Sequence, residues 1–284
     1  MSPFDFVALL VLVASWLFYE RMLPILVGKR GALNARMVQI RRLWMLQVAH
    51  RSVRIADGQF IGHTLNSAAF FGSANLIVMA AVIGVMFGGE SAYTSVAGLK
   101  FMQAGSHWLF EIKLMAVIVI LSRGLLDFVW SIRQLNYCLA AIGAMPDNPP
   151  DDQRRIWGVA IGDLINPAMS TFSRGVRGYY FSLAAAAWMF GPTALLLVTI
   201  GTVSILVWRQ SRSGAAEGVS KVFALVEETM KMDPPTGAAP QIEPAQSIEG
   251  LTPRRHSPPT AQARPDCHGH GGESRLCPRL TDQS

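Results

Sequence analysis

Apolar positions gather into four long stretches, separated by basic or proline-bearing connectors. The first covers residues 4–27. Its cleanest part, residues 6–18, rises only about 20 Å as a helix, against a hydrocarbon layer of roughly 30 Å, so the span must continue through Tyr19-Glu20-Arg21 to Pro24. Glu20 and Arg21 then fall near the boundary, where long side chains reach headgroups. The second stretch is 65–87. The third is 109–130, and it continues as helix through 133–142 until Met145-Pro146-Asp147-Asn148-Pro149-Pro150 breaks it. The fourth, 179–208, would be about 45 Å of helix with Gly191-Pro192 in its middle. One kinked or tilted helix is the first reading, and a re-entrant hairpin of two half-spans is its rival.

This pattern predicts an all-α fold: a polytopic membrane domain over residues 1–232 with about four transmembrane helices around a helix-packed interior. Residues 233–284 differ in kind. They hold nine prolines and few large apolar side chains, too little surface to offset ordering entropy, so a disordered tail is expected.

The connectors carry their own patterns. Over residues 34–63, Met37, Ile40, Trp44, Val48 and Ile55 share a helical face, with Asn34 placed to cap the start and Asp57-Gly58 the end. Arg51 falls on the same face, so the segment fits either an interfacial helix or one packed against the spans. Residues 88–107 read as a short, nearly neutral loop. Asp151-Asp152 opens a short helix, 153–165, that ends at Asn166-Pro167. Within the second span, Asn66, Ser73, Ala80, Gly84 and Gly88 form a stripe of small and polar residues, the kind that lets a neighbouring helix approach closely.

Composition supports a membrane location. The chain is 51% hydrophobic and 15% charged, against the roughly 25% charge of soluble domains. The net charge of +6 is not a nucleic-acid signal, because the basic residues flank apolar spans. Lys29, Arg30, Arg36, Arg41, Arg42, Arg51 and Arg54 lie between the first two spans. Arg133, Arg154, Arg155, Arg174 and Arg177 lie between the last two, while the middle connector has only Lys100. Basic connectors stay cytoplasmic, so the N-terminus is expected outside, in a plasma membrane or a bacterial inner membrane. Four spans would bring the C-terminal side outside too. Arg209 and Arg212 weigh against that and suit the hairpin. The start of the chain lacks the basic region of a signal peptide, so the first span reads as retained.

Four segments resemble the DUF599 family of membrane proteins, in the same order along residues 1–212: Phe70-Phe71-Gly72-Ser73-Ala74-Asn75-Leu76-Ile77, Glu111-Ile112-Lys113-Leu114-Met115-Ala116-Val117-Ile118-Val119-Ile120, Trp130-Ser131-Ile132-Arg133-Gln134-Leu135-Asn136-Tyr137-Cys138, and Arg177-Gly178-Tyr179-Tyr180-Phe181-Ser182-Leu183-Ala184. The resemblance implies a four-span membrane protein of bacteria and plants, and no assigned reaction. Where it leads one to expect a basic residue, this chain has Asp127.

Arg123 and Asp127 are the sharpest candidates. Four apart on a helix, they share a face and can pair, and Ser131, Gln134 and Cys138 extend that face. Intramembrane charges face a bundle interior or a wet cavity, so the choice lies between an ion pair that holds helices and a polar pathway. Trp130, Arg133 and Tyr137 share a second face and read as interface anchors or cation–π partners, as do Arg174, Arg177, Tyr179 and Tyr180, with a headgroup phosphate as possible ligand. Cys267, His268, His270 and Cys277 have the donor types of a zinc site but no recognised spacing, and three cysteines make no disulfide framework, so no metal or cofactor is expected. His63 and His107 fall on opposite sides and cannot share a haem. No phosphate loop, HExxH or nucleophile elbow occurs. The expectation is a non-enzymatic membrane protein that scaffolds, binds lipid or assembles with itself as a homo-oligomer, with no nucleic-acid partner. The alternative is an oligomeric transporter or channel subunit with the Arg123 face along its path.

Overall fold

The computed structural model describes residues 2–28, 33–99 and 105–232, and these are helical without a strand. In chain order the helices are α1 (Pro3–Val27), α2 (Leu33–His50), α3 (Ile55–Phe87), α4 (Gly89–Ala97), α5 (His107–Ala144), α6 (Asp151–Ala186), α7 (Pro192–Ser211) and α8 (Gly214–Met232), with a 3-10 turn, Ala187–Phe190, between α6 and α7. The start of α1 is set by a capping box. The Ser2 hydroxyl accepts from the Asp5 amide while the Asp5 carboxylate accepts from the Ser2 amide, and Pro3 occupies a position that needs no donor.

Among the described residues, three segments are long and apolar enough to cross a membrane: Pro3–Leu23, Ile55–Phe87 and Pro192–Glu228. Many of their outward side chains are apolar, among them Phe6 and Leu10 on α1, Phe70 and Ile77 on α3, and Leu197 and Ile200 on α7. Against these, α5 is more enclosed, with Phe110, Val117, Leu121, Phe128, Leu135 and Ile142 buried along its length. With 38 residues it runs about 57 Å, nearly twice a hydrocarbon layer. The excess length of α3, α5 and α6 has a use. One core joins α1, the first half of α5, the end of α6 and α7 through Leu12, Ile120, Leu121, Phe181, Trp188 and Leu195. A second core lies at the far end, where α2 packs against the start of α3, the end of α5 and the start of α6 through Met45, Val48, Ile61, Leu135, Cys138 and Ile165.

Several expectations need correction. Residues 179–208 are not one kinked helix but two antiparallel arms: the Tyr180 hydroxyl accepts from Arg209 Nη1 at 2.6 Å, whereas 29 residues of continuous helix would hold them about 44 Å apart. Gly191 makes the reversal with φ 111°, a conformation that favours glycine, and Pro192 opens α7. With Asp5 bonded to Trp188 at the turn end, α1 begins beside that turn and α7 finishes at the opposite end. The reversal is that of the hairpin rival, but its arms are not half-spans: one is the end of the 36-residue α6 and the other, α7, is 20 residues long, so the premise that put both ends of the domain on one side is removed.

The break at Asn166-Pro167 does not occur either, since α6 runs through it. Proline lacks the amide and crowds the carbonyl four residues back, but neighbours hold the helix there. Arg41 Nε donates to Asn166 Oδ1 at 2.8 Å, and the Ser131 hydroxyl donates to the Ala168 carbonyl at 2.9 Å. The basic connector is also two helices, not one. α2 stops at His50, packs on α6 and α8, and is not capped by Asn34, while Asp57 sits in the first turn of α3. Part of the neutral loop forms α4.

The small-residue stripe faces outward: Asn66, Ser73, Ala80, Gly84 and Gly88 are all exposed, and the face that meets α5 carries Ala68, Gly72 and Asn75 instead. Sevens and fours mark a helical face without saying whether the chain itself covers it.

Glycine allows α2 and α6 to touch. A methyl added at Gly158 would stand 2.8 Å from the Leu46 Cα, a backbone atom that moves only if the helices separate, whereas one at Gly62 meets nothing within 4 Å. Gly158→Ala is therefore expected to cost about 1–3 kcal/mol by overpacking despite its helix-propensity gain, and Gly62→Ala to be neutral or to add up to about 1 kcal/mol. Thermal unfolding in detergent checks the pair, and a Tm for Gly158→Ala equal to that of the parent would count against the packing described.

Candidate functional site

α5 and α6 approach closely around glycine. A methyl on Gly178 would meet the Gly124 Cα at 3.5 Å, and one on Gly175 would meet the Phe128 ring at 2.8 Å. Phe128 in turn stacks on Phe71, with Phe172 and Tyr179 against both. This contact brings charged residues of three helices together. Arg123 and Asp127 come from α5, Arg174 and Arg177 from α6 one helical turn apart, and Glu20 from α1.

Asp127 is shared. Its Oδ2 lies 3.4 Å from Arg123 Nε and its Oδ1 lies 3.3 Å from Arg174 Nε. Glu20 bridges in the same way, hydrogen-bonded to Arg177 Nη2 and 3.9 Å from Arg174 Nη1. Arg177 also lies over the Tyr19 ring at 5.4 Å. Three guanidiniums thus meet two carboxylates, leaving one positive charge in excess. The network walls a small cleft of about 100 Å³ between α1, α5 and α6, whose apolar side is Trp16, Leu17 and Phe181. The Asp127 side chain is 9% exposed and that of Arg123 is 57% exposed, so the carboxylate is enclosed and Arg123 stands at the mouth.

The Arg123–Asp127 pair read from spacing is present, but as one edge of a five-residue network. The rest of the proposed face does other work. Ser131 clamps α5 to α6 through the Ala168 carbonyl, and Gln134 Oε1 is buried without a hydrogen-bond partner among the described residues. Trp130, Arg133 and Tyr137 are exposed along α5. Arg133 makes no cation–π contact among the described residues, and such contacts form instead at Arg21, Arg177 and Arg209. Tyr179 turns inward, donating to the Phe71 carbonyl at 2.5 Å.

Other buried polar groups escaped the sequence reading. At the 3-10 turn end, Asp5, Lys113 and Trp188 are buried together, with Trp188 Nε1 donating to Asp5 Oδ1 at 2.9 Å and the Lys113 charge acting on Asp5. Lys113 was legible as a lone charge in an apolar span, but Asp5, whose charge acts on it, lies over a hundred residues away. In the second core, Asp57 accepts from Trp44 Nε1 at 2.8 Å and Arg51 Nη1 at 2.5 Å. On α3, Asn75 Nδ2 donates to the Leu121 carbonyl of α5 at 2.8 Å. Among the described residues no cluster of His, Cys, Asp and Glu has the arrangement of a metal site. Cys267, His268, His270 and Cys277 lie outside the described residues.

Burial in the second core pushes the Cys138 thiol up to about 11, which removes the thiolate that nucleophilic chemistry needs. In a chain with Cys267→Ser and Cys277→Ser, Cys138 is expected to resist maleimide at pH 8 and to label fully only on unfolding. Mass measurement before and after denaturant reads this, and rapid labelling of the folded protein would contradict the burial.

The network predicts unequal losses. Asp127→Leu leaves Arg123 and Arg174 facing one another and should cost about 2–4 kcal/mol, somewhat under the full figure for a buried pair because both arginines retain water. Arg123→Leu should cost under about 1 kcal/mol. In a double-mutant cycle the Arg174–Asp127 coupling should exceed the Arg123–Asp127 coupling, and unfolding in detergent gives both. Additive losses throughout would mean that Asp127 holds neither partner.

A family model described as "Protein of unknown function, DUF599" matches residues 7–215. No curated protein and no solved structure matches the chain.

Proposed function

The chain belongs to the DUF599 family, whose description assigns no activity, and from its own residues we propose a non-enzymatic integral membrane protein that crosses the bilayer five times and holds anionic lipid at its arginine-rich end. The crossings are α1, the upper part of α3, the first half of α5, the second half of α6, and α7. One observation carries this reading. The described arginines gather away from the 3-10 turn: Arg36, Arg41, Arg42, Arg51, Arg54, Arg133, Arg154 and Arg155 belong to the far half of the fold, Arg21, Arg209 and Arg212 lie towards the ends of α1 and α7 opposite the turn, and Arg123, Arg174 and Arg177 come nearest to it, on α5 and α6. Basic residues at one end of an apolar helical bundle mark the cytoplasmic side and attract anionic headgroups there. The N-terminus is then outside, the second core is cytoplasmic, and the described chain leaves α7 on the cytoplasmic side.

The same distribution fits a scaffold better than a channel subunit. Between the Asp5–Lys113 layer and the Glu20–Asp127 layer the bundle is filled mainly by Leu12, Ile120, Leu121, Phe181 and Leu195, and the buried polar groups there, among them Asn75, Ser182 and Thr199, are uncharged and lie on three different helices. The charge network acts as a clamp on three helices, and Arg123 at its mouth is placed to meet a headgroup phosphate.

Topology tests the proposal. A reporter active only outside should work at Gly89 and fail at Asn148 and after Arg212. Activity at Asn148 would overturn the orientation, and activity after Arg212 would overturn the fifth crossing. Release of the chain from membranes by alkaline carbonate would remove the membrane reading altogether.

A further inference from the structure

Beyond the network, we infer that a second cleft, at the junction of α1, α2 and α7, binds a phosphate group through Arg36 and Arg212. The cleft is about 570 Å³ and is lined by Val27, Arg36, Ser204, Val207, Trp208, Ser211 and Arg212. Among the described residues no acidic side chain lines it. That sets it apart from the Glu20–Asp127 network, where two carboxylates already occupy three guanidiniums.

Most arginines of this end are engaged, the exposed Arg133 of α5 aside. Arg41 donates to Asn166, Arg42 pairs with Asp163, Arg51 with Asp57, and Arg54 donates to the carbonyls of Met145 and Pro146. Arg154 pairs with Asp151, and Arg209 donates to Tyr180. Arg36 and Arg212 have no acceptor among the described residues, yet they converge on one cleft from different helices. A guanidinium presents a planar fork of donors that matches two phosphate oxygens, and two of them without a carboxylate leave the site short of negative charge.

The walls are fixed. The Asn34 amide donates to Gln210 Oε1 at 3.3 Å, which ties the start of α2 to the end of α7 and sets the spacing between the two arginines. Depth is also appropriate. α7 is 20 residues long, about 30 Å, and Arg212 follows its last residue while Trp208 lies one turn inside. An indole at the end of a bilayer-length helix sits at headgroup level. The ligand class is therefore a phosphate ester or phosphate ion carrying at least one negative charge, and the lipid form of it rests on the membrane reading above.

The test uses the full chain. It is reconstituted in nanodiscs of phosphatidylcholine with one-fifth phosphatidylglycerol, extracted into neutral detergent, and the retained lipids are counted by native mass spectrometry. The parent should retain phosphatidylglycerol in preference to phosphatidylcholine, and Arg36→Gln with Arg212→Gln should lose about tenfold of that preference, the size expected for losing a charge-assisted contact. Arg36→Lys with Arg212→Lys keeps the charge and serves if the Gln variant does not fold; it should retain lipid more weakly than the parent. In a parallel arm, inorganic phosphate is titrated into the delipidated protein and Tm is read. Stabilisation of the parent but not of the Gln variant, without selective lipid retention, assigns the site to free phosphate. Equal retention of both lipids together with no phosphate effect overturns the site. Selective retention that survives both double variants places the headgroup elsewhere, which sinks this inference and leaves the membrane reading standing. Carbonate extraction of the parent reports on that reading separately.

Discussion

The contact between α5 and α6 is what the rest of the fold depends on. Gly124 and Gly178 let the two backbones meet, and Phe128 fills the space that a side chain at Gly175 would need. Without a hydrophobic driving force between helices in lipid, such close van der Waals packing supplies the association. The polar links follow from it. Arg174 reaches Asp127 only because the helices are this near, and Ser131 finds the Ala168 carbonyl for the same reason. α1 is then secured to the pair through Glu20 and α3 through Asn75 and the Tyr179 hydroxyl.

Charged side chains are concentrated at two levels, with a mainly apolar middle between them that holds the uncharged Asn75, Ser182 and Thr199. Asp5, Lys113 and Trp188 occupy one level and the five-residue charge network the other, some fourteen residues along α5. Buried charges are costly unless paired and hydrogen-bonded. Here each carboxylate has several donors or cations, which fits groups that hold helices in register. The two levels differ in access: the first is enclosed, and the second opens at Arg123.

Much of this was legible in the sequence, and what was not has physical causes. Apolar runs place α1, α3, the first half of α5 and α7, because a bilayer-length run of such residues has few other uses. The i,i+4 relation between Arg123 and Asp127 is local and survives into the structure. Arg174, Arg177 and Glu20 were each noticed, but only as boundary residues. Their convergence depends on how three helices cross, which spacing within one helix does not encode. Pro167 misled because a local rule against proline was outweighed by Arg41 and Ser131 on neighbouring helices. Gly191-Pro192 was seen as a disruption, yet whether a break bends a helix or reverses it depends on whether the returning arm finds a partner, and α1 supplies it. The Asn66–Gly84 stripe marks one face of α3, and the chain's own described helices leave that face uncovered.

The length of α5 and α6 has a mechanical consequence. Both run unbroken from the 3-10 turn end into the second core, so they behave as rods clamped at Gly124, near the middle of α5, and at Gly178, eight residues from the end of α6. A rod of about 57 Å pivoting there has lever arms of roughly 20–30 Å, and a tilt of about 5° moves each tip by some 2–3 Å in opposite directions. Changes in bilayer thickness that retilt the membrane halves would thus be delivered, without any hinge, as displacement between α2 and the tips of α5 and α6.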